Sequence, residues 1–257
     1  MFLNRLIPVL LLKGKRLVKT KIFRDPYYVG DPINAVKLFN DKEVDELIFL
    51  DIDASKFGNE PNYKYIAEIA SECFMPFTYG GGIKTLAQAG EIFKAGAEKI
   101  SLKTALWESP QLITEIAEKY GTQSVVVSLD IIKTKFSNKY YPFDHISRRV
   151  IRHSPISLAK KFESLGAGEV LITAVNNEGN MSGYDIELIN QMSNALSIPV
   201  IANGGAGSLM HIQDVFRKTS ASAAAAGSLF VFHRHRKAVL INYPDVSQIQ
   251  NIFRGSN

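Results

Sequence analysis

The sequence predicts an α/β fold, a single (β/α)8 TIM barrel with an internal half-barrel duplication, on three observations. Short apolar runs alternate with longer helical stretches along the chain, about eight such units are present, and the second half repeats the first at a fixed offset. Strict alternation implies parallel strands joined by crossover helices. With 257 residues, 46% hydrophobic and 21% charged, the chain is long enough to bury one large α/β core.

The elements follow in order. "IPVLLLKGK" (residues 7–15) is the first strand, running into a polar stretch, "GKRLVKTKIFRD", that reads as a loop, either solvated or able to close over an anion. "DELIFLDI", "MPFTYGGG" and "EKISL" are strands two to four, with helices ending near "IASECF", "FKAGA" and "ITEIAEKYG". "SVVVSLDI", "GEVLITAV", "IPVIANGG" and "SAAAAGSLF" are strands five to eight, and a long segment, "KYYPFDHISRRVIRHSP", follows strand five. Glu46 matches Glu169 (169 − 46 = 123), and Gly81-Gly82 match Gly204-Gly205 and Phe93 matches Phe216 at the same offset. The half-barrels are therefore about 1–122 and 123–257 of one domain. Sliding strand one onto strand five sets Leu11 against Asp130, so one half ends its strand in leucine where the other carries an acid.

Composition narrows the function. The lone cysteine, Cys73, rules out an internal disulfide and a cysteine metal cage, which fits a reducing cytoplasm. The N-terminal apolar run is followed by basic residues rather than a small-residue cleavage site, so it reads as a strand. No run approaches the roughly 20 residues of a membrane helix. The net charge of +5 suits anionic ligands. The basic clusters "SRRVIRH" and "FHRHRK" come without an aromatic stacking motif, so they read as solvated surface or the seat of an acidic partner rather than a nucleic-acid site.

In such a barrel the strand C-terminal ends form the ligand-binding mouth. Gly81 and Gly82 after strand three, with Lys103 and Thr104 after strand four, make one candidate phosphate cradle. Gly204, Gly205, Gly207 and Ser208 after strand seven, with Gly227 and Ser228 after strand eight, make a second. Two cradles on one mouth imply a ligand with a phosphate at each end. Between them fall Asp51, Asp130, Asn176, Glu178 and Lys19; Asp130 reads as a general acid or base, or as a carboxylate holding a neighbouring lysine. No histidine stands at a predicted strand end, so neither a histidine metal site nor a Ser/His/Asp triad is expected, and no cofactor is implied. At the strand starts, Arg5, Glu46, Lys99 and Glu169 converge on the barrel axis, by default as a salt-bridge layer.

Taken together, "IPVLLLKGKRLVK", "VDELIFLDI", "YGGGIKT", "GAEKISLKTA", "LGAGEVLIT", "GYDIEL" and "IPVIANGGAG" resemble, in order and over nearly the whole chain, the HisF-type cyclase subunit of imidazole glycerol phosphate synthase. The resemblance implies a bisphosphate substrate across the two cradles and a HisH-like glutaminase docked at the N-terminal face. It also implies ammonia passing through the core, with Arg5, Glu46, Lys99 and Glu169 as its gate. Two facing aspartates serve the family as acid and base; Asp130 matches one, and Leu11 stands at the other. Further departures are Lys103 for a typical asparagine, Glu178 as the acid after strand six, and the altered segment after strand five. "VLLLK" with that segment is similar to a cyclase-like branch associated with acetamidino groups on bacterial surface sugars, which implies a separate sugar-modifying amidotransferase as a further partner. Two other readings stay open: a true cyclase of histidine biosynthesis in which Asp130, Glu178 or Lys19 replaces the missing acid, and a non-catalytic scaffold or phospholigand sensor.

Overall fold

A computed structural model describes residues 4–135, 137–233 and 238–253. Eight parallel strands form the barrel: β1 (Arg5–Lys13), β2 (Leu47–Asp51), β3 (Phe77–Gly80), β4 (Lys99–Leu102), β5 (Val125–Lys133), β6 (Glu169–Ala174), β7 (Val200–Asn203) and β8 (Ala223–Ala226). Each pairs with the next, and β8 pairs with β1, so these eight strands close on themselves. The longer helices are α1 (Pro32–Asn40), α2 (Tyr63–Ala70), α3 (Leu86–Lys94), α4 (Leu112–Tyr120), α5 (Pro155–Ser164), α6 (Ile186–Ala195), α7 (Leu209–Lys218) and α8 (Val246–Phe253), with single turns at Ala54–Phe57, Ala105–Glu108 and Ser228–Val231. This is the (β/α)8 barrel expected from the alternation.

Local chemistry starts the helices where the chain leaves the mouth. Asp31, Asn62, Thr85, Ser154, Asp185 and Ser208 each accept a backbone N–H from the first turn that follows, and Pro32 and Pro155 occupy its first position. Strand and helix starts keep the repeat's spacing: Pro32 and Pro155, Tyr63 and Ile186, Phe77 and Val200, Leu86 and Leu209 all begin corresponding elements.

Register decides which side chains enter the barrel, because laterally paired residues share a face. Arg5 and Ile7 pair with Ala223 and Ala225, Val9 and Leu11 with Ile48 and Leu50, and Thr78 with Lys99. On the other side Ser128 pairs with Leu171, and Asp130 with Thr173. The interior is thus an apolar plug of Ile7, Val9, Ile48, Val126, Leu171, Ile201, Ala223 and Ala225, distinct from the larger core between sheet and helices. Buried hydroxyls of Thr78, Ser101, Ser128 and Thr173 interrupt it.

Both polar stretches expected as loops are hairpins. Arg16–Lys21 runs back antiparallel along the end of β1 and pairs in turn with Arg24–Gly30. Lys19 is consequently buried on a strand, held there by a carboxylate described below. After β5, Tyr140–Asp144 pairs with Ile131–Lys133, and Arg149–Val150 continues the ribbon. Of the basic cluster "FHRHRK", residues 234–237 lie outside the described residues.

Candidate active site at the barrel mouth

A cavity of about 510 Å³ opens at the strand C-terminal ends. Gly81, Gly82, Lys103 and Thr104 line one part of it, and Gly204, Gly205, Gly227 and Ser228 another. The glycines at the turns are required by the backbone. Gly81 has φ +128° and a Cβ there would stand 2.7 Å from the Asp51 carbonyl oxygen; Gly205 has φ +108° and would meet the Gly183 carbonyl oxygen at 2.0 Å.

The second cradle differs from expectation in two residues. Gly207 spends its N–H on His211 Nδ1 (3.1 Å), and the Ser208 hydroxyl caps α7 by accepting the His211 N–H (3.4 Å). Neither is among the lining residues, whereas Ala206 is. The serine was read as a ligand group because it follows the glycines; its position as N-cap accounts for it instead.

Between the cradles the polar groups differ in how far they are committed. Glu178 forms an ion pair with Lys19 and accepts the Phe23 N–H at 3.2 Å, tying the first hairpin over the mouth. Asp51 Oδ1 accepts the N–H groups of Asp53 and Ala54, both at 3.0 Å; burial pushes its pKa up, partly offset by those bonds. Asn176, expected in the mouth, is exposed and staples Lys133 through both backbone groups (2.8 and 3.3 Å). Asp130 is 4% exposed and forms an ion pair with Lys103. The pair is made through Oδ2, and burial raises the Asp130 pKa against the opposing pull of the lysine. Four strands round the ring from Asp130, on the opposite wall, stands Leu11, with Leu50 beside it on β2.

One mouth residue was missed. His145, at the end of the strand-five hairpin, lines the cavity with Nδ1 3.9 Å from Asp130 Oδ2. Its ring meets Phe23 edge to face at 6.3 Å. His145 stands at no barrel strand end; the hairpin after β5 carries it to the mouth, and that segment was read as loop. The signal available was the first half, whose own strand leads into a polar stretch at the same place. Burial, helped by the Lys103 cation, lowers the imidazole pKa to about 3. From its ordinary 6.5 down to that value the unfolded chain binds a proton that the folded chain refuses. The stabilisation is whole above pH 6.5 and is lost as pH falls toward 3. Asp130, whose pKa is raised, works in the opposite sense, so the comparison needed is with His145→Gln. Urea unfolding at pH 7 and 5 should show the original chain losing about 2 kcal/mol more than this variant.

At the other end Arg5 bonds Glu46 (2.6 Å) and Glu169 (2.8 Å), and Lys99 bridges the same two acids at 3.1 and 3.3 Å. Thr78 donates to Glu46 at 3.0 Å. Two cations alternate with two anions, so the ring is closed and internally neutral.

A family model described as histidine biosynthesis protein matches residues 5–236. The chain is 50% identical over 246 residues, 96% of its length and 98% of the relative's, to a Pseudomonas aeruginosa protein provisionally named imidazole glycerol phosphate synthase subunit hisF2. It is 47% identical over 248 residues to a Vibrio vulnificus protein provisionally named subunit hisF3, covering 96% and 95% of the two chains. Imidazole glycerol phosphate synthase subunit HisF of Pelodictyon phaeoclathratiforme is 40% identical over 235 residues, 91% of this chain and 93% of that one. The barrel and its mouth are those of a histidine biosynthesis family protein. Within that family the chain belongs to the HisF-type cyclase subunits of imidazole glycerol phosphate synthase.

Proposed function

We propose that this chain is a cyclase-like synthase subunit that receives ammonia from a HisH-like glutaminase and supports amidination of a surface-polysaccharide sugar nucleotide. In this reading the duplicated half-barrels hold a bisphosphate-type ligand between Gly81, Gly82, Lys103 and Thr104 on one side and Gly204, Gly205, Gly227 and Ser228 on the other. The glutaminase docks at the N-terminal face, where the ion ring is the gate and Phe74, in the turn entering β3, is 84% exposed. A separate sugar-modifying amidotransferase takes the product or the ammonia in the cytoplasm. No helix among the described residues is long and apolar enough to cross a membrane.

The observation that carries the reading is the mouth's asymmetry. Leu11 lines the cavity with no proton to give, while Asp130 across from it is buried against Lys103. General acid–base catalysis supplies about 10² to 10⁴ in rate, so the ordinary cyclisation loses its drive while anion grip and ring persist. A strain lacking this gene should grow without histidine yet lose the acetamidino groups of its surface polysaccharide, measured by mass spectrometry of the released sugars. Histidine auxotrophy with unaltered polysaccharide would favour the true cyclase. Complementation with Asp130→Asn should fail; full restoration would favour a scaffold.

A further inference from the structure

Of the acids read from the sequence into the mouth, Asp51 caps the turn beyond β2, Glu178 holds Lys19 and the Phe23 N–H, and Asp130 is the most deeply buried. Asp130 pairs with Lys103 through its buried Oδ2, and the His145 ring stands beside the same oxygen. A buried carboxyl that gains a proton from a ligand must lose it again before a second turnover, and a 4% exposed residue has little contact with water. Beyond Lys103, the titratable group nearest that oxygen is His145, whose side chain is 25% exposed and so reaches water.

We propose that His145 is a proton shuttle between the buried Asp130 carboxyl and the water of the mouth, an assignment that rests on the bisphosphate-ligand reading above. The imidazole sits where a shuttle must. Nδ1 is 3.9 Å from Asp130 Oδ2, a small movement from hydrogen-bond reach, and the ring lines both the main cavity and an adjoining chamber of about 320 Å³. Phe23 holds one edge of the ring without competing for a proton. The charged groups facing it are Lys103 from the end of β4, Asp130 from β5, and Asp144 beside it on the hairpin. The first of these, with burial, keeps the ring neutral at physiological pH, the form with one nitrogen free to accept and the other able to donate.

The step balances without an added reagent. Asp130 takes a carbon-bound proton from the ligand; the C–H bond breaks and its electron pair stays as an enolate facing the Lys103 ammonium. The Asp130 O–H bond then breaks as its proton moves to Nδ1, while the proton on Nε2 leaves to water. The ring ends neutral in its other tautomer, and the reverse sequence returns a solvent proton to carbon.

Ribulose 1,5-bisphosphate is a suitable probe, with a phosphate at each end and an acidic C–H beside a ketone. In D2O the original chain should exchange the C3 proton faster than buffer, followed by proton NMR, and His145→Ala should slow this about 100-fold. Probe affinity by calorimetry should stay within about threefold, since the histidine belongs to neither cradle. Added free imidazole should restore exchange in the alanine variant, with the dependence on its concentration and pH that a mobile base gives. His145→Gln, closer in volume, covers the case where the alanine variant does not fold. Exchange by either variant at the original rate overturns the shuttle, as does a slowed variant that imidazole fails to rescue. Probe bound without exchange by the original chain also overturns it. Failure of the probe to bind at all removes the ligand reading, and the shuttle with it.

Discussion

Leu11→Asp should gain the ordinary cyclase reaction. Supplied with excess ammonium and the bisphosphate formimino-ribulose intermediate, the variant should consume the intermediate about 10² to 10⁴ times faster than the original chain, followed by absorbance or chromatography. The argument is geometric. Position 11 is on the inward face of β1, paired with Leu50, and lines the same cavity as Asp130 on the facing wall. It is only half-buried, so a carboxylate there keeps contact with water and with the Lys13 and Lys19 side of the mouth. The exchange adds the one group that acid–base chemistry across the cavity lacks. No gain would mean that Lys103, by pairing with Asp130, has itself diverted the site from cyclisation; Leu11→Asp with Lys103→Asn then tests that second change.

Glu46→Ala should cost more stability than any surface change in the protein. Glu46 is 3% exposed and takes bonds from Arg5, Lys99 and Thr78. Its removal leaves two partly buried cations sharing Glu169 alone. Breaking a buried ion pair from one side costs about 3 to 5 kcal/mol, for a domain of this size a fall in Tm of roughly 10 °C or more by calorimetry. Replacing all four members together, Arg5→Met, Glu46→Leu, Lys99→Met and Glu169→Leu, should recover most of that loss, because the desolvation penalty of four charges goes with them. If the ring is a gate, the apolar quadruple variant still folds but no longer passes ammonia from a bound glutaminase. A purely structural layer would leave that coupling intact.

How far the sequence reached depended on the kind of signal. The eight strands were legible because most are short runs of buried apolar residues, and the repeat marked corresponding glycines after β3 and β7. The ring was legible because charge at four strand starts has few places to go except the axis. Lys19 lines the mouth as expected, but buried on a strand rather than in a loop; a lysine in a polar stretch suggests solvent. Its burial depends on Glu178, about 160 residues away, and an ion pair across such a separation leaves no local pattern. Ser208 was overread for the converse reason: a serine after glycines fits a phosphate turn and a helix cap equally, and only the His211 bond decides. His145 was missed because its role comes from a hairpin that folds back on β5; the offset of 123 sets it against position 22 in the first half's own polar stretch (145 − 123 = 22), and neither stretch carries the apolar run that marks a strand.

The central claim is that this barrel keeps its anion grips and its charged ring but lacks the acid that drives cyclisation. The direct measurement is to give the unaltered barrel the bisphosphate formimino-ribulose intermediate with saturating ammonium, recording binding by calorimetry and consumption in parallel. The account predicts binding that inorganic phosphate weakens, with turnover no faster than the solution background. Rapid consumption of the intermediate would contradict it.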